Sequence, residues 1–133
     1  MINTTKNMRT ILAPISLGEL IDKITILEIK KNYMKGIKHK NVVKEMELLK
    51  YIIQDKSIEI DIELVNKLKE VNTRLWEIED EIRAKESEQK FDKEFIKLAR
   101  SVYKENDKRS SIKKEINQKY NSEIIEEKFY DKY

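Results

Sequence analysis

The 133-residue chain contains no cysteine, one proline, two glycines, one histidine and one tryptophan. Each scarcity removes a class of protein. Without cysteine there is no disulfide framework, no thiolate metal ligand and no thiol nucleophile, and the chain suits a reducing, cytoplasmic setting. Two glycines and one proline are too few for the tight turns of a β-sandwich or barrel, so the expected class is all-α. The single histidine, His39, lies among lysines with no orienting partner nearby, which leaves no His-based triad and no His-rich metal site. No apolar run reaches the length of a membrane span, and the opening MINTTKNMRTILAPIS lacks the apolar core and small-residue cleavage site of a secretory signal. A cytoplasmic protein with no membrane contact and no cofactor is the expectation.

Charge and helical periodicity are what the chain has in quantity. Charged residues make up 40% and apolar ones 39%, enough for one buried core with much of each helix in water. The net charge of +3 is too small to imply nucleic acid. Residues 1–70 carry 13 basic and 10 acidic side chains, so they hold the whole excess, whereas residues 71–133 balance at 15 and 15.

The densest pattern runs from Val71 to Arg109. Leu64, Leu68, Val71, Leu75, Ile78 and Ile82 alternate steps of four and three, the seam of a helix packed lengthwise on a neighbour. Asp92 is a good N-cap for a returning helix, in which Phe95, Ala99 and Val102 continue the spacing, Asn106, Arg109 and Lys113 interrupt it, and Ile116 and Tyr120 restore it. A turn near Ser87 to Lys90 then sets Trp76 beside Tyr103, Glu79 beside Arg100, and Asn72 beside Asn106 and Asp107. The expected fold is a single domain over 1–133, a helical bundle built on a long antiparallel hairpin (about 61–87 and 93–120).

Two N-terminal helices precede the hairpin. Residues 1–10 are polar and expected to be flexible, and Ile11 and Leu12 before Pro14 read as an extended lead-in tucked under the fold. Ser16-Leu17-Gly18-Glu19 has capping-box spacing, so the first helix runs from about Leu17 to Met34, with apolar residues on more than one stripe and the greatest burial. Gly36 reads as its stop, Lys38 to Asn41 as a turn, and the second helix as about Val42 to Gln54 with Val42, Val43, Met46, Leu49, Ile52 and Ile53 inward. Residues 121–133, with Ile124, Ile125, Phe129 and Tyr130, read as a short C-terminal helix folding back on the hairpin. Long seams of this coiled-coil kind need further burial, so a homodimer or a helical protein partner is expected.

Six polar residues fall on or beside the seam: Asn72, Glu79, Arg83, Arg100, Asn106 and Arg109. The plainer reading makes them a hydrogen-bonded network that fixes helix register. The sharper one makes them a pocket where Arg and Asn side chains bind a small anionic ligand. Lys30, Lys31, Lys35, Lys38, Lys40 and Lys44 form an acid-free segment with Tyr33 and His39 interleaved, a candidate patch for phosphate, an anionic saccharide or a nucleic-acid backbone. Against it, a lysine-rich solvated loop explains the same residues, and no recognition-helix pattern exists to read bases. Glu77 with Asp80 has one-turn chelating spacing, but Glu77, Asp80 and Glu81 lie away from the Ile78–Ile82 seam and read as a solvated face, not a metal site.

These strings resemble a family of short helical proteins of bacteria and some of their phages, a domain of unknown function. The resemblance rests on PISLGELIDKITIL from Pro14 to Leu27, on Val71-Asn72 with LWEIEDEIR from Leu75 to Arg83, and on Phe91-Asp92 through Asn106-Asp107-Lys108-Arg109, and covers most of residues 11–128. It implies an accessory role near glycosyltransferases and surface polysaccharide, and assigns no residue a function. Ser110 and Ser111 depart mildly from the small, alanine-like residues expected there. Leu20-Ile21-Asp22-Lys23-Ile24 also faintly resembles the first helix of chorismate mutases, without their arginine register. The leading expectation is a non-enzymatic helical binding or assembly module; its rival is a small all-α enzyme gripping a dianion through arginines.

Overall fold

The computed structural model describes residues 9–130 and contains four helices: α1 (Leu17–Tyr33), α2 (Ile37–Asp55), α3 (Ile62–Ser87) and α4 (Lys93–Lys119). Among the described residues there is no strand. Of the segment expected to be flexible, residues 1–8 lie outside the described residues, and Ile11 and Leu12 are 80% and 94% exposed instead of tucked under the fold.

Three helices start on the caps their sequences provide. The Ser16 hydroxyl accepts from the Glu19 amide at 3.2 Å, Asp61 accepts from the Glu63 amide at 2.9 Å, and Asp92 accepts from the Phe95 amide at 3.0 Å. The reciprocal half of the capping box is missing, because the Glu19 carboxylate crosses to Lys113 instead. The second helix is the exception to the expected boundaries. Gly36 adopts φ +64° at the end of a three-residue connection, so α2 begins at Ile37 and takes in Lys38 to Asn41, which were expected to form a turn. Lysine is a good helix former, and once glycine supplies the positive φ nothing holds these residues out of the helix.

α1 is the central element. It contacts α2, α3 and α4, and it buries Leu20, Ile21, Ile24, Leu27 and Ile29 together with Gly18, Asp22 and Thr25. One core cluster joins Ile21 to Leu64, Leu68 and Ile116, with Leu17, Ile53, Ile60, Val65, Ile112 and Tyr120 around it. A second joins Leu27 to Val42 and Met46 under α2. The backbone of α2 lies against α1 alone, and Leu48, Tyr51 and Ile52 on its outer side are exposed, Ile52 contrary to its expected inward position.

The backbones of α1 and α4 approach closely at Gly18. A Cβ on Gly18 would lie 2.5 Å from the Lys113 carbonyl oxygen, and the Gly18 amide donates to the buried Asn117 Oδ1 at 2.6 Å. The absence of a side chain at residue 18 is what lets the two backbones meet.

At 1.5 Å per residue α3 is about 39 Å long and α1 only about 26 Å, so α1 covers the base of the hairpin and not its far end. Burial follows that limit. Leu64, Leu68, Val71 and Asn72 are buried in α3 and nothing beyond them, while the distal half of α4 buries only Leu98. The segment after α4 folds back along the bundle as expected, but residues 122–130 form no helix. The chain turns at Asn121 with φ +51°, and Ser122 accepts from the Leu17 amide at 3.2 Å.

A buried polar lock and the cleft beside it

At the base of the hairpin the packed helices enclose one carboxylate. Asp22 lies on α1 between Ile21 and Ile24 and has no exposed surface. Its Oδ1 accepts from Asn72 Nδ2 and from Arg109 Nε, each at 2.9 Å, and Arg109 Nη2 donates to its Oδ2. Asn72 Nδ2 also reaches Thr25 Oγ1 at 2.9 Å, and that hydroxyl donates to the Asp22 carbonyl at 2.8 Å. Arg109 Nη1 leans toward Asn106 Oδ1 at 3.5 Å. The bidentate bond to Asp22 raises the Arg109 guanidinium above its usual range against the opposing pull of burial. Three helices are joined through this one side chain.

A second bridge lies one turn along. Lys113, 7% exposed, donates to Glu19 of α1 at 2.6 Å and to Glu126 of the C-terminal segment at 3.2 Å. Glu126 also pairs with Lys128 at 2.9 Å. Its carboxyl is held down at about 2, first by the bond to Lys128 and then by Lys113, with burial opposing both. These ion pairs, with Lys114 to Glu127 at 3.8 Å, pin the segment to α4, because Phe129 is 99% exposed and contributes no burial.

Between α4 and that segment opens a cleft of about 680 Å3, within the range of small-molecule sites. Val102, Tyr103, Asn106, Arg109, Ser110 and Lys113 form one wall, and Lys128 and Tyr130 the other. Three cations line it against one carboxylate, Asp107. The Arg109 face turned to Asp22 is occupied, and its Nη1 donates to Asn106, a further residue of the cleft wall.

The structure brings together half of the six seam residues singled out from sequence. Asn72 and Arg109 bond Asp22 and Asn106 accepts from Arg109, whereas Glu79, Arg83 and Arg100 take no part. Glu79 and Arg83 pair with each other at 3.9 Å on the exposed distal half, and Arg100 is exposed there as well. Nine residues separate Arg100 from Arg109 along α4, about 13 Å, so the arginines do not form one grip. The Arg74–Glu105 pair, at 3.0 Å, has the register expected for Trp76 and Tyr103. The ring stacked on Trp76 is nevertheless Tyr33, with centroids 5.1 Å apart, and Trp76 Nε1 is buried without a hydrogen-bond partner among the described residues.

Of the lysine segment, Lys31, Lys35, Lys38, Lys40 and Lys44 are exposed and Lys30 is half-buried, at the junction of α1 and α2, and none of them bonds the lock. Among the described residues no group of three or more His, Cys, Asp and Glu comes together to hold a metal, and no helix is long and apolar enough to cross a membrane. Sequence reasoning flagged Lys113 as an interruption of the seam and Asp22 only as part of a matched string, and it missed Thr25 and Glu19 as participants. A charged residue amid the most apolar helix was the available signal for Asp22, since an aspartate is almost never fully buried unless paired.

Fold and site together define an all-α protein whose short hairpin-capping helix is locked by a buried Asp–Arg–Asn network. Residues 11–133 match the model of the family of unknown function DUF6165, and the chain belongs to that family. No curated protein and no solved structure matches it.

Proposed function

We propose that the protein is a non-enzymatic helical binding module whose ligand site is the cleft between α4 and residues 122–130. The observation that carries this reading is the cleft wall, which combines three cations with two tyrosine rings over about 680 Å3. The exposed Lys128 ammonium and the part-buried Arg109 guanidinium on the cleft wall suit a phosphate or carboxylate, and Tyr103 and Tyr130 suit the apolar face of a ring. A small anionic ligand with a ring, such as a sugar bearing a phosphate or carboxylate, meets both requirements. That ligand class is consistent with the accessory role in sugar or surface-polysaccharide metabolism implied by the sequence resemblance.

The dianion-gripping enzyme has less support. It requires converging arginines, and Arg83 and Arg100 stand apart from Arg109 on the exposed end of the hairpin. A thermal-shift panel of sugar phosphates, uronates, nucleotides and nucleotide-sugars tests the proposal. A ligand at a hundred times its dissociation constant stabilises the fold by about 2.7 kcal/mol, several degrees for a chain of this length. The shift should disappear in Lys128→Ala and Tyr130→Ala, whose exposed side chains leave the core untouched, and persist in Arg83→Ala. A panel with no shift, or one indifferent to Lys128 and Tyr130, refutes the cleft.

A further inference from the structure

The face of the hairpin turned away from α1 carries a charge pattern of which the chain itself matches only Lys108. Asn72 and Arg109 point to α1, and α2 lies beyond α1, so the opposite side of α3 and α4 has no third layer. A shallow groove of about 700 Å3 runs along it between Lys67, Glu70 and Arg74 of α3 and Lys104, Glu105 and Lys108 of α4. The Arg74–Glu105 pair bridges the groove, and Lys108 joins the same carboxylate at 3.1 Å.

Beside the paired Arg74 and Glu105 and the lone Lys67, this face carries two rows of opposite sign at identical spacing. On α3 the row is Glu70, Glu77 and Glu81; on α4 it is Lys97, Lys104 and Lys108. Both follow steps of seven and four, one helical face, and all six side chains are exposed. Among the described residues none of Glu70, Glu77, Glu81, Lys97 and Lys104 makes an ion pair. Glu70 faces Lys104 and Lys108 from the opposite wall of the groove without pairing across it, because the Arg74–Glu105 bridge stands between them and Lys108 turns to Glu105.

The register makes the pattern self-complementary. With Arg74 opposite Glu105, Glu70 stands level with Lys108, Glu77 with Lys104 and Glu81 with Lys97, each within about one turn. A two-fold axis lying along the hairpin preserves these levels and exchanges the helices, which sets α3 of one copy on α4 of the other. Each Glu row then meets a Lys row, and it does so twice.

We infer that this face docks a second copy of the chain through the Glu70–Glu77–Glu81 and Lys97–Lys104–Lys108 rows. The helices α1 and α2 lie on the other side of the hairpin, and the cleft adjoins the groove at Asp107, which lines both. Exposed ion pairs are individually weak and salt-screened, and here they act as a network without an apolar centre. The dimer is therefore salt-labile, with its dissociation constant rising at least tenfold between 50 and 500 mM NaCl.

Sedimentation equilibrium of the full chain at 50 mM NaCl, with two charge-reversed variants, tests the inference. Glu77→Lys with Glu81→Lys should be monomeric, as should Lys97→Glu with Lys104→Glu, each keeping its helical circular dichroism. An equimolar mixture of the two should restore a 1:1 heterodimer, because every reversed row then faces its opposite. Monomeric wild type up to about 0.5 mM, variants that stay dimeric, or a mixture that stays monomeric would each overturn it.

Discussion

Replacing Arg109 by alanine leaves the Asp22 carboxylate fully enclosed with Asn72 as its one remaining side-chain donor. Removing one partner of a buried ion pair costs about 3–5 kcal/mol, because the other charge stays in a low-dielectric site. That is a large fraction of the roughly 5–15 kcal/mol that holds a domain together, and it corresponds to a fall in melting temperature of about 10–20 °C. Urea unfolding followed at 222 nm measures it. The double variant Asp22→Leu/Arg109→Met should recover most of the loss, since apolar groups of similar volume remove both charges at once. Additive losses in the double variant, or an Arg109→Ala cost below about 1 kcal/mol, would show that the Asp22–Arg109 contact does not hold the helices together.

Gly18→Ala forces α1 and α4 apart, because the new Cβ would stand 2.5 Å from a backbone oxygen. Overpacking of about 1–3 kcal/mol outweighs the roughly 1 kcal/mol gained in helix propensity, so thermal melting should show a net loss and not a gain. Glu126 is held at about 2, below its unfolded range near 4.3, so its contribution is complete above about pH 4.3 and is lost as pH falls toward 2. Carboxyl NMR should place its midpoint near 2, and the stability gap between wild type and Glu126→Gln should close across that window. Trp76→Phe removes a buried indole N–H without a partner, so denaturant midpoints should move by less than about 1 kcal/mol despite the smaller ring.

The helices were legible because each carries its own local signals. The three-and-four spacing from Leu64 to Ile82 and the caps at Ser16, Asp61 and Asp92 are properties of neighbouring residues, and they located α1, α3 and α4 to within a residue or two. The start of α2 was not, because it depends on whether Gly36 ends one helix or opens the next, and a positive φ serves either purpose. The site was half legible for a similar reason. Interruptions of the seam pointed to Asn106, Arg109 and Lys113, but their partners Asp22 and Glu19 lie about 90 residues away on α1, where no spacing rule reaches. Glu79 and Arg83 continue the line of Asn72 and fail because α1 stops short of them, whereas Arg100, nine residues from Arg109, lies half a turn around α4 on its opposite face. The C-terminal segment misled through its apolar residues: ion pairs at Glu126 and Glu127 hold it, while Phe129 and Tyr130 stay in solvent.

The most direct test of the binding cleft is a ¹⁵N heteronuclear correlation titration with the sugar phosphate or uronate that gives the largest thermal shift. Perturbed amides should map to the cleft-lining stretch of α4 from Val102 to Lys113 and to Lys128 and Tyr130, with the Lys30–Lys44 segment and the hairpin tip unchanged. Perturbation centred on Lys30–Lys44, or none at millimolar ligand, would contradict a binding module built on this cleft.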